Sequence, residues 1–183
     1  PHLFLDEHIH HVVREPAGGE HGFVAARIGG ALLRHVDDRN AGAVFAAETG
    51  FKIFSDPDTV RAPDAAFVDK KRLPEPIPRG FLSIAPDLVV EVVSPDDRPG
   101  EVLAKIGDWS EGGCRLVWVI DPRRSQARVY RADGSEEIIG ADGAVIALER
   151  MLRGKGPMLS SVGEFLGTQM THADWEGFRF YDF

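Results

Sequence analysis

The chain has 183 residues, 43% hydrophobic and 27% charged, proportions that fit one globular domain and exclude disordered and fibrous classes. Lys plus Arg number 21 against 29 Asp plus Glu, a net charge of −8, so nucleic-acid binding requires a local basic patch or bound cations. No apolar run approaches the roughly 20 residues of a membrane helix. A lone cysteine, Cys114, excludes an internal disulfide and makes a reducing, cytoplasmic compartment the expected one.

Residues 1–19 read as an irregular N-terminal segment without a signal-peptide pattern. It holds His8, His10 and His11 in a strand-like stretch and a loop at Pro16–Gly19. Glu20 and His21 open a segment in which Val24, Ile28, Ala31 and Leu32 recur at helical spacing, ending near Asp37–Asn40. Ala43 to Phe54 is strand material with a break at Thr49-Gly50, and Thr59 to Val68 reads as a further strand carrying Pro63-Asp64. Lys70 to Ile84, rich in proline, predicts an extended surface loop.

Leu88–Val93 is an apolar run with one acid, the pattern of a central strand buried on both faces. Ser94-Pro95-Asp96-Asp97 stops it and offers capping side chains to a helix with Pro99 in its first turn. Val102, Ile106 and Trp109 form the apolar stripe of that helix, and Gly112-Gly113 ends it. Leu116–Ile120 is a second central strand, Asp133-Gly134 marks a hairpin, and Ser160 to Leu166 reads as a short helix. Residues 168–183 form a tail, and nothing splits the chain, so a single domain over 1–183 is expected. Strands alternating with two helices predict an α/β domain, and the late meander argues against a purely parallel sheet.

Two acids stand out. An ionised Glu91 inside a Val/Leu strand needs a cation, a hydrogen-bond network or a metal. It is either half of a buried ion pair, a strand-edge acid, or a group facing a cleft. Asp64, between Arg61-Ala62-Pro63 and Ala65-Ala66-Phe67-Val68, is either a turn acid beside Pro63 or a partner of Glu91. Two such carboxylates on neighbouring strands make an oxygen site for Mg²⁺. Lys105 either pairs with Glu101 at i,i+4 on a solvated face or leans over that site.

Pro63-Asp64, the run Ala85 to Pro95, Lys105 and Val117–Pro122 together resemble the Uma-two family of restriction-endonuclease-like proteins with the PD-(D/E)XK nuclease fold. Glu20-His21-Gly22 resembles its N-terminal histidine segment, and the resemblance runs from about Pro16 to Leu166. It implies a restriction-endonuclease-like core: a mixed central sheet flanked by helices, with a C-terminal hairpin or meander. It also implies a Mg²⁺- or Mn²⁺-dependent DNA endonuclease, working as a homodimer. Asp64, Glu91 and the Val92 backbone carbonyl would hold the metal. Lys105 would act on the water or the transition state, and His21 on a phosphate or metal-bound water. Most nucleases of this fold carry the lysine two residues after the second acid, where this chain has Val93; the family draws it from the next helix. Two departures stand. His8-Ile9-His10-His11 replaces an acidic segment, and Trp109 replaces a tyrosine, a change expected to affect packing only.

Arg123, Arg124, Arg128 and Arg131 form a local basic cluster, either a solvated hairpin face or a phosphate-contacting edge, to which Lys70, Lys71 and Arg72 add. Glu48 is either a third acid at the site or a strand-end residue, and Cys114 reads as a small buried residue. The histidines at 8, 10 and 11 offer imidazole but no third well-spaced ligand. Phosphate loops, nucleophile elbows and Cys-x-x-Cys pairs are missing from the sequence, which removes the corresponding enzyme classes. The rival to the nuclease reading is a catalytically silent relative serving as a binding or assembly module.

Overall fold

The computed structural model describes residues 18–124 and 126–140. The histidine-rich stretch, the helix expected over 160–166 and the tail at 168–183 lie outside the described residues. Among the described residues no helix is long and apolar enough to cross a membrane.

Helix α1, Gly19–Asp38, buries Val24, Ile28, Leu32 and Val36 along one stripe, as the spacing predicts. The chain then lays down β1 (Gly42–Ala46), β2 (Phe51–Phe54), β3 (Thr59–Arg61), β4 (Ala65–Asp69) and β5 (Leu88–Val92). Helix α2, Pro99–Glu111, crosses to β6 (Leu116–Asp121), and β7 (Gln126–Arg131) and β8 (Glu136–Gly140) follow. Six strands form one sheet in the order β1-β4-β5-β6-β7-β8. Only the β5–β6 pairing is parallel, because α2 supplies the one crossover. The expected mixed α/β sheet with a terminal hairpin is therefore what the chain forms.

The sheet is covered on both faces. Leu88, Val90 and Val92 of β5 pack with α1, together with Phe67, Trp118 and Val129. Val89, one residue out of phase, packs on the opposite face with Ile106 and Trp109 of α2 and with Phe51. Strand alternation puts Glu91 on the α2 face as well.

The structure differs from the sequence reading in three places. Thr59 to Val68 is not one strand: β3 pairs with β2 in a separate two-stranded sheet, and β4 joins the main sheet. Pro63, which lacks an N–H, breaks the ladder between them. The capping expected from residues 94–97 does not occur, since Arg98 is the N-cap and makes no side-chain cap bond. Asp97 Oδ2 instead accepts the Ser94 N–H at 2.8 Å, closing the turn that leads into the helix. The proline-rich segment after β4 is anchored, with Leu82 buried and exchanging main-chain bonds with Gly50 and Lys52 at 3.0 and 2.8 Å.

Gly113 and Gly134 hold conformations that side chains resist. Gly113 (φ +96°) turns the chain from α2 into β6, and Gly134 (φ +80°) sits in the β7–β8 connection. Asp133 has no positive φ, so that hairpin uses a longer turn with a left-handed glycine rather than a two-residue one.

Candidate functional site

Beyond the C-terminal end of β5 the sheet stops being a regular ladder. Asp64 follows Pro63 just before β4, and its N–H donates to Val90 O at 3.1 Å. Its Oδ2 accepts the Val92 N–H at 2.7 Å, a side chain standing where a strand partner would be. The N–H and C=O of one strand residue leave on the same edge, so the Val92 carbonyl also faces the Asp64 side. His21, in the first turn of α1, brings Nε2 to 3.3 Å from the same Asp64 oxygen.

Glu91 is 7% exposed and both its oxygens are engaged by α2. Lys105 Nζ donates to Oε2 at 3.3 Å, and the Trp109 indole N–H donates to Oε1 at 2.8 Å. Burial pushes the Glu91 carboxyl above its ordinary value, and the nearby Asp64 charge pushes the same way. The Lys105 charge and the Trp109 hydrogen bond pull against both. Asp64 and Glu91 are thus close enough to repel each other.

His21, Asp64, Glu91, Val92 and Lys105 line one open cleft of about 1350 Å³, bounded by α1, the β1–β2 turn, residues 62–65 and the start of α2. Among the described residues, Glu48, Asp64, Glu91, Asp96, Asp97 and Glu101 put six carboxylates on its wall, and Lys105 is the single lysine or arginine there. Among the described residues no three His, Cys, Asp or Glu side chains converge as a ready-made metal cluster.

Asp64, Glu91, Val92, Lys105 and His21 therefore meet at one place. Lys105 contacts Glu91 on β5. Glu48 lines the cleft too. The arginines do not. Arg123 and Arg124 are exposed on the turn after β6, at the sheet end where parallel β5 also stops. Arg128 and Arg131 pair with Glu136 and Glu137 at 3.3 and 2.9 Å. Arg72 sits at the opposite end of β5, bonded to Asp87 at 2.7 Å. Cys114 is buried and its thiol is pushed up to about 12, which fits an inert core residue.

Trp109 is the site residue that sequence reasoning missed. Its place in the apolar stripe suggested packing alone, yet it binds Glu91 directly. The signal was available: Trp109 lies four residues after Lys105, so both share one helix face.

A crystal structure described as "a putative nuclease belonging to DUF820", from Anabaena variabilis ATCC 29413, superposes with a TM-score of 0.65 at 20% identity. The match covers 84% of this chain and 86% of that one, and it shows a shared fold. Among curated proteins none matches this chain. The family described as "Putative restriction endonuclease", Uma2, matches over residues 6–156. With most of its length in that match, and with the fold to go with it, the chain belongs to the Uma2 family.

Proposed function

We propose that this protein is a divalent-cation-dependent endonuclease that hydrolyses DNA phosphodiester bonds, with Mg²⁺ or Mn²⁺ as its cofactor. The observation that carries the reading is the meeting of Asp64, Glu91 and Lys105 in one cleft, within the residues 6–156 that the family matches.

The donor set fits a hard cation. Two carboxylates and a main-chain carbonyl are all oxygen ligands, and Mg²⁺ is commonly held by one or two carboxylates while keeping several waters. The charge balance of the cleft favours the same conclusion. The six acids and one lysine that line the cleft among the described residues repel a phosphodiester until positive charge is supplied. A cation bound there lowers the pKa of a ligated water and neutralises charge developing on the scissile phosphate.

The chain's own groups then have separate tasks. Asp64, Glu91 and the Val92 carbonyl bind the cation. His21 Nε2 and the Val92 N–H both hold Asp64 Oδ2, fixing the orientation of that carboxylate. Lys105 Nζ orients the attacking water or donates to a phosphate oxygen, a role in which a positioned cation stabilises developing negative charge. Arg123, Arg124 and Arg128 contact flanking phosphates, and the working form is a homodimer.

Plasmid nicking with Mg²⁺ or Mn²⁺, and with an EDTA control, tests the reading. The expected result is cation-dependent conversion of supercoiled to open-circular DNA that disappears in Asp64→Asn and Glu91→Gln. No cleavage with either ion overturns it and leaves a nuclease-fold binding module, and cleavage that survives both substitutions overturns the assignment of Asp64 and Glu91.

A further inference from the structure

We propose that Trp109 is a positioning residue: it commits Oε1 of Glu91, so that Glu91 meets the cleft through Oε2 alone. The inference rests on the proposed cation site and deepens it, because it assigns the ligating oxygen and the kind of ion that oxygen selects.

The two donors on Glu91 differ in every property that governs exchange. Trp109 is fully buried, and its ring packs edge-on against Phe51, with centroids 6.3 Å apart at 72°. Its single N–H lies rigidly in the plane of a large ring that has no room to move. Lys105, by contrast, has an 18% exposed side chain on a flexible four-carbon stem, and it lines the cleft, whereas Trp109 lies behind the wall. An incoming cation can displace the ammonium from Oε2. It cannot displace the indole from Oε1 without opening the core on the α2 face of the sheet.

One available oxygen has a chemical consequence. Mg²⁺ demands near-ideal octahedral geometry and suits single-oxygen carboxylate contacts, while Ca²⁺ takes six to eight oxygens and readily accepts a carboxylate through both. By withholding Oε1, Trp109 favours the smaller ion. Without the indole N–H, Glu91 is free to rotate and offer both oxygens.

The test is calorimetric titration of Mg²⁺ and, separately, Ca²⁺ into the full chain. Wild type is compared with Trp109→Phe and with a protein carrying β-(3-benzothienyl)alanine at position 109, where sulfur replaces the N–H at nearly unchanged shape. Loss of the donor is expected to weaken Mg²⁺ binding on the order of tenfold while Ca²⁺ affinity stays within about twofold, the scale of effect seen when an outer partner of a metal ligand is removed. A purely structural role would lower thermal stability and leave the ratio of the two affinities unchanged in both variants. That result overturns the proposal. Should Trp109→Phe fail to fold, the sulfur isostere decides alone. The Trp109 indole proton resonance is also expected to shift in Glu91→Gln, and an unmoved resonance counts against the contact. Wild-type protein that binds neither ion overturns the cation site itself. Binding with an unaltered Mg²⁺/Ca²⁺ ratio overturns the role of Trp109 alone.

Discussion

Strand β5 has a buried carboxylate at each end, and the two are held in opposite ways. Asp87, just before the strand, is 0% exposed. It accepts the Asp69 N–H at 2.8 Å and Arg72 Nη1 at 2.7 Å, with Arg115 Nη1 at 3.4 Å. Arg72 also donates to Ala85 O at 2.9 Å, so the guanidinium is locked in place. Glu91, at the other end, has one ammonium at 3.3 Å, one neutral indole at 2.8 Å and a second acid near by. In an effective dielectric of about 20, a unit charge pair at about 4 Å is worth roughly 4 kcal/mol, so a missing cation is a large deficit. Among the described residues Asp87 faces two positive charges, Arg72 and Arg115, and Glu91 faces one, Lys105. The first end is closed by charge and serves the fold; the second is left short of positive charge and opens onto a cleft.

The sharpest break of this comparison is removal of a cleft acid. Asp64→Asn or Glu91→Gln is expected to abolish divalent-ion binding in calorimetry, while ion-free thermal stability rises slightly because like charges no longer repel. Unchanged titration in both variants would mean that the charge deficit serves no ion. At the closed end, Asp87→Asn is expected to cost about 2–3 kcal/mol in denaturant unfolding, because it leaves guanidinium groups partly buried without their anion. Ion binding should be untouched there, and a loss of it would erase the distinction between the two ends.

Lys105→Met keeps the stem and the helix propensity but removes the ammonium. Folding and ion binding should survive, and nicking at saturating Mg²⁺ should fall by about two orders of magnitude, roughly 2.7 kcal/mol of barrier. Equal rates would reduce Lys105 to a partner of Glu91.

The smallest expected effect is on pH dependence. The folded-state carboxyl of Glu91 is raised above its ordinary 4.5, first by burial. In the window above 4.5 the native state therefore binds more protons than the unfolded one, and stability falls as pH rises. Its contribution is complete below the ordinary value and is lost as pH climbs through the raised one. Unfolding of ion-free protein across that window should show wild type losing stability relative to Glu91→Gln. Parallel curves would show that Glu91 is not desolvated.

Much of the fold was legible because burial imposes periodicity. Val24, Ile28 and Leu32 marked α1, and the runs at 88–93 and 116–120 marked the two central strands, as found. Asp64 and Glu91 stood out for the same reason: an acid among valines is costly unless it has a purpose or a partner. The split of 59–68 between two sheets was not legible, since periodicity says where a strand lies and not which sheet it joins.

What the sequence determined by itself was a mixed α/β core and two acids with a lysine downstream. Tertiary structure alone decided the partners: Lys105 on Glu91 rather than Glu101, His21 on Asp64, and the indole of Trp109 on a carboxylate 18 residues earlier. Asp87 reads as an ordinary acid before a strand until Arg72 and Arg115 close around it. The reason is physical. Hydrophobic burial is non-directional and leaves its trace in spacing along the chain. A hydrogen bond or ion pair depends on distance and angle between atoms that only folding brings together.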